Sequence, residues 1–217
     1  YAGLHLAEEI HTATAFLQKP KHPFVVVLGG AKLETKLPLI TRFVGRADAV
    51  LVGGMLANTL LAARGYSMGQ SKIERDTALL SSPVLKNHKI MLPEDVTIVD
   101  TFERSVHART VAIDKVPHNK YVGDIGHKTA LKFAEIITKA ATIVWNGPLG
   151  YAEIGQCRKG TAIIAKAIAE SDGFSVIGGG DTIEALGRLK MLNRFSFVST
   201  GGGAMLEFLS GKKLPGI

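Results

Sequence analysis

Two lysines stand directly after a glycine pair, in positions where they could bind phosphate groups. Lys32 and Lys36 follow Gly29-Gly30 and are four residues apart, which places both ammonium groups on one face of a helix. Two cations at a helix N-terminus oppose the helix dipole. This arrangement therefore indicates an anionic ligand at that point, with two solvated surface lysines as the alternative.

An aspartate stands at the start of another predicted helix, after three glycines at 178–180. Asp181 could act as the helix N-cap, a position that aspartate fills well. It could also ligate Mg²⁺, because magnesium on phosphates is usually held by one or two carboxylates. The neighbouring Thr182 could donate a hydroxyl hydrogen bond to a phosphate. Both interpretations of Asp181 stay open on the sequence alone.

These side chains follow short apolar runs that predict strands. Runs without alternation, such as residues 24–28, are typical of strands buried on both faces of a parallel sheet. Five of them end at glycine-containing junctions and span 24–28, 49–52, 142–145, 174–177 and 195–198. Two further short strands are predicted at 89–92 and 96–99, and helices at 4–17, 33–46, up to 63, 129–140, 158–170, from 181 and up to 209. The alternation predicts an α/β fold: a doubly wound, Rossmann-like parallel sheet with helices on both faces, in a single domain.

The glycines at the five junctions indicate close approach of a phosphate to the backbone. In open α/β sheets ligands bind outside the carboxyl ends of the strands, where helix N-termini present free N–H groups. Turns alone need one special residue, whereas 178–180 and 201–203 are triple glycines. No junction matches a P-loop, a G-x-G-x-x-G fingerprint or the protein-kinase motifs. The predicted phosphate site is therefore of another kind.

Composition narrows the classes of protein and partner. The 217 residues are 46% hydrophobic and 21% charged, which is enough apolar material for a sizeable core. A net charge of +7 favours anionic partners, but the charges are dispersed and only 6% of residues are aromatic, which argues against nucleic acid. The single cysteine, Cys157, excludes an intramolecular disulfide. Without a long apolar run or a signal-peptide pattern, we expect a cytoplasmic protein with no membrane partner.

The motifs, taken in order, resemble the C-terminal, nucleotide-binding half of the phosphoglycerate kinase family along nearly the whole chain. The first strand, loop and helix contain Val-Leu-Gly-Gly-Ala-Lys-Leu-Glu-Thr-Lys, ending at Lys36. Residues 144–150 are Val-Trp-Asn-Gly-Pro-Leu-Gly, with Glu153 shortly after. The last two junctions, 177–182 and 199–204, also fit the family pattern, as does Lys-Leu-Pro-Gly at 213–216.

This resemblance implies reversible phosphoryl transfer between 1,3-bisphosphoglycerate and Mg-ADP, giving 3-phosphoglycerate and ATP, by a monomeric cytoplasmic enzyme of glycolysis. Lys32 and the amides of Gly201, Gly202 and Gly203 would act on the transferring group. Lys36 would hold the nucleotide phosphates, and Asp181 the Mg²⁺, with Thr182 beside it. The other implied nucleotide-binding residues are Gly30, Ala31 and Gly54 at the adenine, Asn146 and Pro148 at the ribose and phosphates, Glu153 at the ribose hydroxyls, and Gly178, Gly179 and Gly180 in the loop before Asp181.

Three positions depart from the family pattern on what we expect to be the adenine side, and so leave the base preference open. Met55 stands where a third glycine is common, Gly123 where a leucine often lines the base, and His127 where proline is frequent. We expect residues 1–20 to form a connector helix and 21–217 the nucleotide-binding domain. The family's phosphoglycerate-binding half, with its catalytic arginine, is expected before Tyr1. The 217 residues alone should therefore bind nucleotide but transfer phosphate negligibly.

Two other classes of function remain open on the residues alone. A dinucleotide-dependent oxidoreductase of the same fold class would need a glycine fingerprint and an acidic residue about 20 positions further on. Asp48 has that spacing, but the fingerprint is absent. A non-enzymatic basic module that binds RNA or an acidic partner would need clustered charge, which the sequence lacks.

Overall fold

The structure, a computed structural model, describes residues 19–31, 33–75, 80–103 and 107–199. Within them, strands β1 to β9 are Phe24–Leu28, Ala49–Val52, Ile90–Met91, Asp95–Val99, Ala108–Ala112, Tyr121–Ile125, Thr142–Asn146, Phe174–Gly178 and Phe197–Val198. Helices α1 to α5 are Leu33–Val44, Gly54–Ala63, His127–Thr138, Lys159–Ala169 and Gly180–Arg188. The predicted helices at 4–17 and up to 209 lie outside the described residues.

The main sheet has six parallel strands in the order β3-β2-β1-β7-β8-β9. This is the doubly wound order in which the chain builds outward from β1 in one direction and then returns to build outward from β7 in the other. β1 and β7 lie side by side in register, from Phe24 beside Thr142 to Leu28 beside Asn146. The topological switch point, where such folds bind ligands, therefore lies between the loops that follow β1 and β7.

Two apolar layers cover the faces of this sheet. In β1, Phe24, Val26 and Leu28 face one core cluster, which includes buried residues of α1 and α2. Val25 and Val27 face the other cluster, which includes buried residues of α3 and α4. Because β1 is covered on both sides, it has no solvent face and no polar alternation. The predicted fold class is confirmed.

A second sheet, of three antiparallel strands in the order β5-β4-β6, was not predicted. The expected strand at 96–99 is found as β4, but it belongs to this sheet and not to the parallel one. β5 is largely exposed, and β6 contains Gly123 and Asp124, two residue types that are depleted in strands. These segments form strands because they pair with β4, and not because their own sequences show a strand pattern.

Helix α3 begins two residues earlier than the predicted range of 129–140. The carboxylate of Asp95 in β4 accepts hydrogen bonds from the backbone N–H groups of Lys128, at 3.1 Å, and Thr129, at 2.8 Å. The helix N-terminus is thus capped by a side chain more than thirty positions away, which a local sequence pattern cannot show. In the described part of the chain, no helix is both long enough and apolar enough to cross a membrane.

Candidate functional site

The loops after β1 and β7 touch each other backbone to backbone at the switch point. Gly29 N–H donates to the Asn146 carbonyl at 2.9 Å, and Gly30 N–H to the Pro148 carbonyl at 3.0 Å. A Cβ on Gly29 would lie 2.0 Å from the Pro148 oxygen, so no side chain fits there. Gly29 is therefore required by contact between the two loops, and not by a ligand as the sequence pattern alone had indicated.

A cavity of about 390 Å³ opens beside these loops. Its size falls within the range of small-molecule sites in proteins. Several residues predicted to bind nucleotide line it together, although they come from four separate segments of the chain. They are Gly30, Ala31, Gly54, Pro148, Glu153 and Asp181.

Four apolar residues of the lining are Met55, Val96, Phe102 and Val122, which we call the apolar wall. The Phe102 ring stacks on that of Tyr151, which also lines the cavity, with ring centroids 4.1 Å apart and an interplanar angle of 28°. An apolar surface with an aromatic face suits a planar, weakly polar group such as a base. Phe102 and Val122 had no sequence signal, because they belong to the unpredicted second sheet or to its connections. Val96 lies in a predicted strand, but its place in the second sheet, and so at this cavity, was not predicted.

Two of the three departures from the family pattern lie at this cavity, and one does not. Met55 and Gly123 are lining residues. A Cβ on Gly123 would lie 2.5 Å from the Cys157 Sγ, so the buried thiol occupies the space of a side chain at 123. Burial and the charge of Asp124 raise the pKa of Cys157 to about 12, so the thiol stays protonated. His127 is the exposed first residue of α3 and is not a lining residue of this cavity, so its expected place on the adenine side stays a prediction.

Beside the cavity, hydrogen bonds join a group of residues that we call the Lys36 cluster: Lys36, Asn146, Gly178 and Thr182. The Lys36 ammonium donates to Asn146 Oδ1. Asn146 Nδ2 in turn donates to the Gly178 carbonyl at 2.8 Å. A Cβ on Gly30 would lie 3.9 Å from Lys36 Cε, which places the lysine stem next to the cavity lining. The C-terminal ends of β7 and β8 thus lie beside Lys36 in the first turns of α1.

Lys36 is buried, with 7% of its surface exposed, so the alternative of a solvated surface lysine is wrong for this residue. Burial lowers its pKa from 10.5 to about 8, and the nearby Asp181 carboxylate opposes that shift. At neutral pH the ammonium is therefore still mostly charged, although burial makes the charged form less favourable than in water. An anionic ligand at this point would stabilise the charged form.

The Thr182 hydroxyl is occupied by backbone groups. It accepts from Gly147 N–H at 2.7 Å and donates to the Gly178 carbonyl at 2.9 Å. Its proton is therefore not available to a phosphate in this arrangement, contrary to the role suggested for the side chain from sequence. The hydroxyl instead links the loop after β7 to the end of β8 through these two hydrogen bonds.

Asp181 lies in the first turn of α5 with an exposed carboxylate. The N-cap of this helix is Gly179, with no side-chain cap, so the capping interpretation of Asp181 does not hold. A Cβ on Gly180 would meet no atom within 4 Å, so packing does not require a glycine there. Open space at a helix N-terminus leaves room for a ligand to approach the backbone N–H groups.

The donor set at Asp181 fits Mg²⁺ bound together with phosphates. No group of three or more histidine, cysteine or acidic side chains capable of holding a metal occurs among the described residues. Magnesium on nucleotides does not need one, since it takes one or two carboxylates, phosphate oxygens and water. A lone exposed carboxylate beside a cavity matches that pattern.

Four residues predicted to act on the transferring group, Lys32 and Gly201 to Gly203, lie outside the described residues, as does most of the predicted connector at 1–20. Their roles remain predictions. Asn58 and Tyr151 were missed, although both line the cavity. Tyr151 follows the 144–150 motif directly and could have been included for that proximity, whereas nothing in the sequence marks Asn58.

The fold and the cavity define a class: a Rossmann-like α/β domain with its cleft at the topological switch point. The phosphoglycerate kinase family model matches residues 1–212. The chain belongs to the phosphoglycerate kinase family. The chain is 39% identical over 221 residues to the phosphoglycerate kinase of Roseiflexus sp. (strain RS-1) and 41% identical over 216 residues to that of Haemophilus influenzae (strain PittGG).

Solved structures agree with this assignment. That of phosphoglycerate kinase from Coxiella burnetii matches 95% of this chain with a TM-score of 0.89 at 39% identity. That of the Pyrococcus horikoshii OT3 enzyme matches 98% of the chain with a TM-score of 0.83 at 32% identity. The matches to curated relatives cover the whole chain but 56% of each relative, so the chain spans about half of their length.

Proposed function

We propose that this chain binds ADP and ATP with Mg²⁺ and supplies the nucleotide side of phosphoryl transfer between 1,3-bisphosphoglycerate and ADP. The observation that carries the proposal is the buried Lys36 ammonium beside the cavity, with the Asp181 carboxylate close by. Family membership supports the same reaction. We also propose that the enzyme works as a cytoplasmic monomer, as the resemblance implies.

The base and ribose would occupy the cavity. The apolar wall would take the faces of the base by packing. Glu153 is exposed at the cavity, where its carboxylate can accept hydrogen bonds from the ribose hydroxyls. Gly30, Ala31 and Gly54 expose backbone on the same lining and permit close approach of the ring system.

The phosphates would lie between the cavity and the Lys36 cluster. Phosphoryl transfer depends mainly on positioning and on neutralising charge. Lys36 would provide a fixed positive charge, and the N-terminus of α5 would provide N–H donors at Gly180. Bound Mg²⁺ would neutralise phosphate charge, held by Asp181. Asn146 would orient the Lys36 ammonium through its Oδ1.

We further propose that Lys32 and the amides of Gly201, Gly202 and Gly203 contact the transferring group. Phosphoglycerate would bind to the family's other half, which also supplies an arginine. In other phosphoryl-transfer systems such an arginine contributes about 10³–10⁵ in rate. The 217 residues alone should then bind Mg-ADP with negligible turnover, and near-normal activity of the isolated chain in a coupled assay would refute this point.

Neither alternative class is favoured. The strand order suits dinucleotides, but the loop after β1 lacks the fingerprint glycines and instead packs against the loop after β7. A nucleic-acid module would need a clustered basic surface. Calorimetric titrations with Mg-ADP, NAD and a short RNA separate the three classes, and we expect only Mg-ADP to bind.

Variants make the titration specific to the site. Lys36→Ala and Asp181→Ala should each weaken Mg-ADP binding by about tenfold or more, since hydrogen bonds to charged groups are worth about 1.5–3 kcal/mol. Lys139→Ala removes an exposed lysine at the end of α3 and should leave the affinity unchanged. Failure of Mg-ADP to bind, or equal affinities in all variants, would refute the proposal.

A further inference from the structure

Asn58 is a nearly buried polar side chain in an otherwise apolar part of the cavity lining. It lies in α2, one helical turn after Gly54, and only 5% of its surface is exposed. Gly54, Met55 and Ala57 line the cavity together with it, so this face of α2 borders the cavity. The helix packs against β6, which contributes the apolar Val122.

The Asn58 carboxamide makes no hydrogen bond to the described part of the chain. The next residue differs, because Thr59 Oγ1 accepts from Glu74 N–H at 3.1 Å. Within the same residues, no fully buried side-chain nitrogen or oxygen lacks a partner. The amide atoms of Asn58 must therefore keep contact with the cavity, since that is the open space on which the residue borders.

The other charged side chains of the lining either accept hydrogen bonds from the backbone or are exposed to solvent. Asp124 accepts from Ile125 N–H at 2.9 Å and from Gly160 N–H at 2.7 Å, so each of its oxygens has a backbone donor. Glu153 and Asp181 are exposed. Asn58 thus differs from them because its side chain is almost shielded from water and has no hydrogen-bond partner among the described residues. A ligand that displaces water from this part of the cavity must hydrogen-bond the carboxamide, because leaving it unpaired would weaken binding.

We propose that Asn58 hydrogen-bonds the edge of the purine base and so selects bases that carry an exocyclic amino donor next to a ring acceptor. This inference rests on the nucleotide site proposed above. A carboxamide presents its N–H donor and its carbonyl acceptor side by side, which complements an adenine edge with its amino group and neighbouring ring nitrogen. Asn58 would then determine specificity, whereas the apolar wall takes the faces of any base.

Removing the amino group from the ligand tests this role. Purine riboside 5′-diphosphate keeps the ring nitrogens and the phosphates of ADP but lacks the amino donor, so the Asn58 carbonyl would be left unpaired. A site that hydrogen-bonds a substrate group discriminates against the analogue without it, because its own polar group loses its partner. We expect the protein to bind Mg-ADP about tenfold more tightly than the Mg-bound analogue, as one net hydrogen bond allows.

The variant Asn58→Leu keeps a similar volume and removes both polar atoms. Calorimetric titration should show that it loses about tenfold in affinity for Mg-ADP and little for the analogue, so that the preference disappears. Asn58→Ala gives the same comparison if the leucine variant does not fold. The control Met55→Leu changes an apolar lining residue and should alter both affinities by the same factor.

Three outcomes would overturn the inference. If Asn58→Leu and Asn58→Ala weaken both ligands equally, Asn58 has only a structural role. If the preference for ADP persists in both variants, a group other than Asn58 hydrogen-bonds the amino group of the base. If the unmodified protein binds neither ligand, the nucleotide site itself fails, and that result is distinct from the other two.

Discussion

The cavity and the neighbouring Lys36 cluster are built from different parts of the fold and by different interactions. The cluster joins the C-terminal ends of parallel strands to the first turns of helices α1 and α5, and it is held together by a buried charge and by hydrogen bonds, several of them to backbone groups. The apolar wall of the cavity comes from α2 and from the antiparallel sheet and its connections, and it is formed by packing. This difference agrees with the proposed function, in which the Lys36 cluster binds the phosphates and the cavity binds the base.

The contact between the loops after β1 and β7 should be the most sensitive point, because both regions depend on it. In Gly29→Ala the new Cβ would lie 2.0 Å from the Pro148 oxygen and force the loops apart. We expect a loss of about 3 kcal/mol in the free energy of unfolding, at the upper end for overpacking, and no measurable Mg-ADP binding. Urea unfolding and calorimetry check both effects.

The matched control is Gly155→Ala, where the nearest atom to a new Cβ is 4.0 Å away on a flexible arginine. It should change stability by less than about 0.5 kcal/mol. Similar unfolding free energies for the two variants would contradict the importance of the loop contact.

The Lys36 cluster should give the protein a pH-dependent stability that the cavity does not. The pKa of Lys36 is about 8 in the folded chain against 10.5 ordinarily, so the unfolded chain binds more protons between these values. The unfolding free energy should therefore rise with pH across this window, and the penalty for the buried charge should be fully present below it. Relative to Lys36→Met, the native protein should gain about 2–3 kcal/mol from pH 8 to pH 10.5.

Urea unfolding of the native protein and Lys36→Met at several pH values measures this difference. Lys139→Met, which removes an exposed lysine, should follow the native curve. A difference between the native protein and Lys36→Met that does not change with pH would show that burial has not shifted Lys36.

The Thr182 hydroxyl should matter for the cluster through the loops that it ties. Thr182→Val keeps the shape but leaves Gly147 N–H without its buried acceptor, which should cost about 1–3 kcal/mol of stability. Mg-ADP affinity should fall by a few-fold, since the loops lose a positioning contact. The exposed Thr138, whose hydroxyl donates to the Glu135 carbonyl at 3.1 Å, gives the control Thr138→Val. Equal effects of the two substitutions would contradict the role of Thr182.

Substitution in the aromatic pair of the cavity, Phe102 and Tyr151, should have the smallest effect on affinity, and it should affect only ligands that carry a base. Tyr151→Ala removes the ring that stacks on Phe102, and Mg-ADP affinity should fall about fivefold, as expected from about 1 kcal/mol of aromatic packing. Binding of Mg-pyrophosphate, which has no base, should not change. The control Tyr66→Ala removes a similarly exposed ring outside the lining. Weaker pyrophosphate binding in Tyr151→Ala would contradict the division between base and phosphates.

The same division explains what the sequence could predict. The parallel strands are buried on both faces, so runs such as 24–28 carry a clear pattern, and the residues after them, Lys36 and Asp181, stand out by type and spacing. The antiparallel sheet depends on pairing between distant segments, so Ala108–Ala112 and Tyr121–Ile125 had no local pattern. The wall residue Phe102 was missed for that reason.

Other features depend on contacts that only the fold creates. Asp95 caps α3 from another strand, and Gly29 is glycine because another loop passes close to it. Thr182 has the expected position but a hydroxyl that is already bonded to backbone. The spacing of residues in the sequence can predict which of them lie near a site. It cannot predict which group each side chain contacts, because that depends on the fold of the rest of the chain.

The central claim is that the Lys36 ammonium is held ready for nucleotide phosphates. NMR titration of lysine side chains labelled at Cε, with the Lys36 signal assigned by its loss in Lys36→Met, measures the pKa directly. The account predicts a value of about 8 in the free protein. Saturating Mg-ADP should raise it by about 1–3 units, because an opposite charge within about 4–6 Å favours the ammonium. A Lys36 pKa that is the same with and without Mg-ADP would contradict the account.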